Sequence, residues 1–266
     1  MARYPRLMPA TPQLFSASVV RTERISPSFQ RVTVGGAELG GFEWLGFDQW
    51  FRLFLPPSPS TPLQLPRVSG RSWYRSYLLI PESLRPHCAN YTVAGFRRTS
   101  DGVELDIDVV LHWHGGALAG TVARWAESAR PGSPVGLLDQ GCLFDPPPGT
   151  ADHVLAGDET GVPGLRGILA SLDPSARGVA LLEVPDAADC CDIAAPTGVE
   201  VRWLPRSRGR SEPGRLALAA LAELNPPAHA YAYVVGESGL ATGGRRVLKR
   251  AGVPPSQITF SGFWKA

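Results

Sequence analysis

Residues Pro146-Pro147-Pro148-Gly149 cut this chain into halves with different rhythms. Each of the three prolines lacks an amide donor and fixes φ, so neither a helix nor a central strand runs through them. Before the run, short apolar stretches at 19–24, 29–34, 50–55, 90–97 and 103–111 are separated by turn signals such as Ser26-Pro27, Gly35-Gly36 and Pro56-Pro57. Many short strands at such spacing predict an antiparallel barrel. Ser100-Asp101-Gly102 predicts a hairpin joining 90–97 to 103–111, with Asp106 and Asp108 as its polar partners. The 58–70 stretch reads as a Pro/Ser loop, and a single helix is expected over 121–129, with Thr121 as a good N-cap. After the prolines the pattern becomes strand–helix–strand. Strands are predicted at 153–156, 179–184, 198–204, 231–235 and 258–263, and helices at 162–171, 216–224 and 243–251. That alternation predicts a doubly wound parallel sheet.

A length of 266 residues accommodates this as two domains, expected at 14–145 and 150–266. With 26 basic and 24 acidic side chains the net charge is +2, which gives no global case for nucleic acid. No run of about 18 apolar residues exists for a membrane span, and no apolar signal core follows Met1, so a cytoplasmic location is expected. Cys88, Cys142, Cys190 and Cys191 contain no C-x-x-C, which speaks against zinc or a disulfide framework. His112-Trp113-His114 puts two imidazoles on one strand face, but no third ligand is evident, so no metal site is expected. Asp158 and Glu159, on opposite faces of a strand, form no obvious acid/base pair. The run Gly236-Glu237-Ser238-Gly239-Leu240 ends on Leu where a nucleophile elbow needs Gly.

A barrel followed by a nucleotide-type α/β domain is the layout of ferredoxin-reductase-like flavoenzymes. Within that layout, Tyr91-Thr92-Val93 resembles the Arg-x-Tyr-Thr-(Val/Ile)-Arg signature of the siderophore-interacting protein family, with Ala89 and Ala94 standing at the two arginine positions. Residues 48–53, Asp-Gln-Trp-Phe-Arg-Leu, resemble the family's Asp-Gln-x-x-Lys-Leu strand. The segment from Asp108 to His112, then Gly120-Thr121-Val122-Ala123-Arg124-Trp125-Ala126, resembles its histidine and Gly-Pro-Ala-Ser-x-Trp-Ala helix start. Residues 155–163, Leu-Ala-Gly-Asp-Glu-Thr-Gly-Val-Pro, are the most specific match, and Gly236-Glu237 and the ending Ser261-Gly262-Phe263-Trp264 add two more. The resemblance covers roughly residues 14–266.

The resemblance implies an NAD(P)H-dependent reductase of ferric siderophores using FAD. Tyr91 would pack on the flavin, with Thr92 hydrogen-bonded to it, and these two are the expected catalytic contacts. Val93, His112, Gly120, Thr121 and Val122 would complete the FAD side. Gly157, Asp158, Glu159, Thr160, Gly236, Glu237 and Trp264 would serve the cofactors from the second domain. Arg85 or Arg97 would be the candidates to replace the arginine missing at Ala89. Arg202, Arg206, Arg208, Arg210 and Arg215 suit a ribose 2′-phosphate or a solvated loop. A second reading keeps the fold but not flavin reduction. Another small molecule, or a non-redox step such as cyclisation in secondary metabolism, would then use the cleft, with Trp73, Tyr74, Tyr77 and Trp113 as candidate lining. A non-catalytic siderophore binder is a third.

Overall fold

The computed structural model describes residues 7–9, 13–68, 73–114, 116–206 and 212–266. The first half folds as β1 (Leu14–Ser26), β2 (Phe29–Gly35), β3 (Trp50–Leu55), helix α1 (Trp73–Leu78), β4 (His87–Thr92), β5 (Gly95–Thr99), β6 (Gly102–Val110), the short pair β7 (His112–His114) and β8 (Ala117–Ala119), helix α2 (Thr121–Ser128) and β9 (Pro134–Asp139). Seven strands form one antiparallel sheet in the order β4-β3-β9-β1-β2-β6-β5. It rolls into a barrel around Phe15, Val32, Phe51, Leu53, Leu105, Ile107 and Leu137, all buried. Side chains alternate along each strand, so every second residue reaches this core.

The structure corrects the expected strands here. β1 is longer than 19–24, and register shifts between Val19 and Arg21 and between Arg24 and Ser26 explain the broken pattern. The stretch 90–97 is two strands. β4 pairs with β3 and β5 with β6, and the chain passes from one sheet edge to the other at Val93-Ala94. The hairpin at Ser100-Asp101-Gly102 therefore joins β5, not β4, to β6. Helix α1 is unforeseen. Gly120, at φ +86°, is the N-cap of α2, and Thr121 is the first helical residue without a capping hydrogen bond.

Asp106 and Asp108 are buried and paired across the sheet. Arg97 donates to Asp106 at 2.6 Å, and Arg31 donates to both Asp108 oxygens at 2.7 and 2.8 Å. Burial opposes the charge on Asp106, but Arg97 and Thr33 more than offset it and hold the carboxyl below its ordinary range.

The second half contains β10 (Asp152–Gly157), α3 (Val162–Ser171), β11 (Arg177–Val184), β12 (Gly198–Pro205), α4 (Arg215–Ala222), β13 (Tyr231–Glu237), α5 (Ser238–Arg250) and β14 (Ile258–Trp264). Its five strands run parallel in the order β12-β11-β10-β13-β14. Helix α3 packs on one face through Leu165 and Ile168; α4 and α5 cover the other through Ala217, Leu221, Leu240 and Leu248. Near-continuous apolar runs such as Ala180-Leu181-Leu182 follow from burial on both faces. Helix α5 starts at Ser238 rather than Gly243, because the Glu237 side chain accepts from the amides of Gly239 and Leu240. That side chain satisfies donors the first turn otherwise leaves open.

Candidate functional site

The two sheets meet along a cleft of about 720 Å³. That is within the range of about 300–1,000 Å³ common to cofactor and ligand sites. It opens beyond the carboxyl ends of the parallel strands, where open α/β sheets bind ligands. The barrel wall comes from the paired ends of β3 and β4. In their register Trp50 faces Thr92, Phe51 faces Tyr91 and Arg52 faces Asn90.

Asp48 and Gln49 explain why the Asp-Gln dipeptide precedes this strand. Gln49 is fully buried; its amide nitrogen donates to the Glu43 carbonyl and to Asp139, and its carbonyl oxygen accepts from the Leu45 amide. Asp48 reaches across the domain boundary. It accepts from the amides of Leu143 and Phe144 and from the Tyr233 hydroxyl at 2.6 Å. Burial pushes the Asp48 carboxyl up, against those donors. One carboxylate thus fixes the barrel, the linker and β13 together at the floor of the cleft.

The opposite wall is the turn after β10. Asp158 is fully buried and accepts from the Thr160 amide and hydroxyl, the Glu237 amide and the Trp264 indole N–H. It joins the ends of β10, β13 and β14. Gly236 sits at φ +123°, and a Cβ there would lie 2.5 Å from the Asp158 carboxyl carbon. Gly236→Ala is expected to cost well over about 1 kcal/mol, since φ is positive and the added carbon meets a fixed carboxylate. An unchanged urea midpoint would refute this.

Glu159 is also fully buried and receives two hydrogen bonds from Arg206, both at 2.8 Å. Arg206 also donates to Glu183 at 2.7 Å, and Glu183 accepts the amides of Gly214 and Ala217 at the start of α4. Burial raises the Glu159 carboxyl above its ordinary range, with Arg206 pulling it back. Neither Asp158 nor Glu159 lies on a strand; both follow the end of β10.

The cleft gathers Tyr91, Thr92, His112, Thr160 and Trp264 from the residues singled out in the sequence. The Tyr91 hydroxyl is pushed up by burial. The His112 ring lies 5.4 Å from the Trp264 ring, and its Nδ1 is 3.9 Å from Glu159. Val93 points into the barrel core instead. Gly120, Thr121 and Val122 are not among the lining residues; Val122 packs into the barrel, and the backbone at Gly120 faces open space. Gly157, Asp158, Glu159, Gly236 and Glu237 stand behind the wall and shape it.

Neither arginine considered as a replacement at Ala89 is free. Arg85 donates to the carbonyls of Leu78 and Ile80, and Arg97 is held by Glu104 and Asp106. The arginine group also divides. Arg206 is clasped, Arg202 pairs with Glu200, and Arg208 and Arg210 lie outside the described residues. The His114 side chain likewise lies outside them. Among the described residues no group of three His, Cys, Asp or Glu is placed to hold a metal. Also among them, no helix is long and apolar enough to cross a membrane.

Sequence reasoning left out three lining residues that matter. Trp50 and Arg52 come from β3, and Gly164 from α3. The strand alternation that buries Phe51 and Leu53 was the available signal for Trp50 and Arg52. The Arg52 guanidinium lies 4.7 Å from the Trp73 ring and 5.7 Å from that of Trp50, donates to Asn90 at 3.2 Å, and keeps a buried Nε with no partner among the described residues.

The residues fit a flat, polar-edged ring. A Cβ on Gly164 would stand 3.7 Å from the Thr92 hydroxyl, so glycine leaves that space open. No described residue hydrogen-bonds the Thr92 hydroxyl, which leaves it available to a ligand.

Residues 18–142 match the siderophore-interacting FAD-binding domain, and residues 150–266 match the siderophore-interacting protein domain. The ferric vibriobactin reductase ViuB of Vibrio cholerae is 33% identical over 250 residues, 92% of this chain and 83% of that one. The NADPH-dependent ferric-chelate reductase of Escherichia coli is 29% identical over 99% of this chain and 98% of its own length. A siderophore utilization protein from T. fusca superposes with a TM-score of 0.81 at 28% identity, covering 98% of this chain and 95% of that one. SipS from Aeromonas hydrophila shares the fold, with a TM-score of 0.74 at 24% identity over 96% and 99% of the two chains.

Proposed function

The chain belongs to the siderophore-interacting protein family, and from that premise we propose that it is an NAD(P)H-dependent, FAD-using reductase of ferric siderophores. Residues 14–145 would hold the flavin and 150–266 the nicotinamide, in the cytoplasm where NAD(P)H is supplied. The observation that carries the reading is the cleft itself. The unpartnered Thr92 hydroxyl, the Tyr91 ring and the Trp264 ring converge there from two domains.

When bound, FAD would supply the redox chemistry that links a two-electron donor, NAD(P)H, to one-electron reduction of ferric iron. The protein supplies position and field. Tyr91 would offer its ring face to the flavin and Thr92 a hydrogen bond to its edge. Trp264, fixed by Asp158, would close the nicotinamide side. His112, between Trp264 and Glu159, would cover the far rim. The buried Asp48–Tyr233 contact keeps both walls in register, so a ligand meets a preformed site.

A second reading has its own support. Ala89 and Ala94 stand where the family carries arginines, and the structure ties Arg85 and Arg97 elsewhere. A cleft short of phosphate contacts suits a different small molecule, bound without reduction or turned over in a non-redox step such as cyclisation.

Adding FAD to the purified protein and desalting decides between them. Retained bands near about 370 and 450 nm, bleached by NADPH under argon and restored by a ferric chelate, are expected for the reductase. A colourless protein would overturn it and favour the second reading. Thr92→Ala is expected to weaken flavin retention or slow bleaching about tenfold, the scale of one lost hydrogen bond. Unchanged affinity and rate would remove Thr92 from the flavin.

A further inference from the structure

Cys190 and Cys191 stand side by side in the loop 185–197 that carries the chain from β11 to β12. Both line a second pocket, of about 190 Å³, at the seam between the barrel and the parallel sheet. Phe29, Arg31 and Asp108 form its barrel side, and Arg166 on α3 and Trp203 on β12 form the other. Cys191 is exposed and Cys190 half-buried, whereas Cys142 is buried. Burial and the neighbouring Asp189 push the Cys190 thiol up, so it is the slower of the pair to ionise.

The pair is clamped on both flanks. Asp189, just before it, is buried and ties the loop to the barrel. One of its oxygens accepts from the Ser26 hydroxyl at 2.6 Å and the Ser28 amide at 2.9 Å, and the other accepts from the Asp186 amide at 3.0 Å. The Cys191 carbonyl accepts from the Trp203 indole N–H at 3.1 Å. Beside the thiols, Arg31 takes both Asp108 oxygens, and Arg166 is left 3.6 Å from that carboxylate. A loosely matched guanidinium at the pocket draws anionic reagents towards the thiols.

We propose that Cys190 and Cys191 are a redox switch: a small anionic disulfide of the glutathione class oxidises them to a disulfide with each other, and closing that bond loosens the seam between the two domains. The switch does not depend on what occupies the cleft. Cys191, the exposed member, attacks the small disulfide as thiolate; its sulfur bonds one half, and the other half leaves and takes up the thiol proton. Cys190 then attacks the Cys191 sulfur and releases the second half as a thiol. Two protein thiols are oxidised and one small disulfide is reduced to two thiols, so electrons and protons balance. Adjacent Cα atoms lie about 3.8 Å apart across a trans peptide, but disulfides usually span about 4.4–6.8 Å. Closing the ring therefore twists the 190–191 peptide and displaces its flanks, which are the Asp189 anchor and the Cys191 carbonyl. Strain of this kind also makes the bond easy to reduce, so the switch resets.

The test equilibrates the reduced protein, freed of small molecules, with oxidised and reduced glutathione at several ratios, then quenches with acid. Peptide mass mapping is expected to show two hydrogens lost within 190–191 and no lasting glutathione adduct. Protection of the Ser28 amide against hydrogen exchange should fall roughly tenfold, the scale of its lost hydrogen bond to Asp189. Indole emission should change with it, and Trp203→Phe should abolish that change. A reducing buffer should restore both signals. Cys190→Ser should stop at a glutathione adduct on Cys191, and Cys88→Ser should behave as wild type. The wild-type protein alone can overturn the proposal, whatever the variants do. A glutathione adduct that persists at Cys191, or thiols that stay reduced at the most oxidising ratio, would do so. A 190–191 bond that leaves Ser28 protection at its reduced value would do so too.

Discussion

Replacing Arg206 by methionine will destabilise the protein by about 3–5 kcal/mol at neutral pH. The side chain is 9% exposed and lies between two carboxylates that are both fully buried, Glu159 and Glu183. Methionine fills much of the volume but leaves both acids without their cation, and removing one partner of a buried pair costs far more than the pair itself contributes. The loss also has a pH signature. Burial already raises Glu159 above its ordinary range with Arg206 present. A carboxyl whose folded pKa exceeds its unfolded value favours the folded state at low pH, and that contribution disappears as pH rises through the folded value. Without Arg206 the folded value climbs further, so the deficit of the variant grows with pH. Urea unfolding at about pH 5 and about pH 8 should show a smaller gap between wild type and variant at the acid end. A gap that is constant, or that narrows towards alkaline pH, would refute the buried-pair account. Because Glu159 backs the turn that supplies Thr160, the variant should also bind cleft ligands more weakly.

This arginine shows where sequence reading stops. Arg206 sits in a run of arginines that reads as a solvated loop or a phosphate clamp. Its two partners come from the ends of β10 and β11, far away in the chain, and nothing local announces them. Elements whose causes are local were legible. Helix α3 was placed at 162–171, as observed, because Pro163 suits a first turn and the apolar spacing of Leu165, Ile168 and Leu169 follows one face. The parallel strands were found within one or two residues of their ends, since burial on both sides leaves unbroken apolar runs. Helix α5 was started late because Gly239, Gly243 and Gly244 lower its propensity; Gly244 in fact packs against Val234 and Leu221. The 90–97 stretch misled for a different reason. Both of its halves alternate well as strands, and only the rolling of the sheet sends them to opposite edges. Within the cleft, motif matching found Tyr91, Thr92, Thr160 and Trp264. It gave Asp158 the role of a contact, whereas its four hydrogen bonds make it the joint of three strand ends. Helix α1 was missed because it follows a Pro/Ser stretch and has no buried stripe to give it a period.

Ala89→Arg should tighten FAD binding by roughly 10- to 150-fold, the span of one charge-assisted hydrogen bond of about 1.5–3 kcal/mol. Ala89 lies two residues before Tyr91 on β4, so the two side chains share a strand face, and Ala89 already lines the cleft. Opposite it in the register is Leu53, not a charge. Arg52 is one residue off and projects from the other face with Asn90, so the new guanidinium and the existing one are directed apart. Arg85 and Arg97 keep their present partners and compete for nothing. The gain must depend on phosphate if this argument is right. Riboflavin, which has no phosphate, should therefore bind Ala89→Arg and wild type alike, while the FAD gain should shrink as salt rises. Flavin fluorescence quenching at two ionic strengths measures all of this. A parallel gain for riboflavin would mean that arginine acts by packing its stem against the ring. No gain for FAD, in a variant that melts like wild type, would mean that the phosphate path along β4 is no longer in use, and would move the weight of the cleft towards a ligand other than flavin.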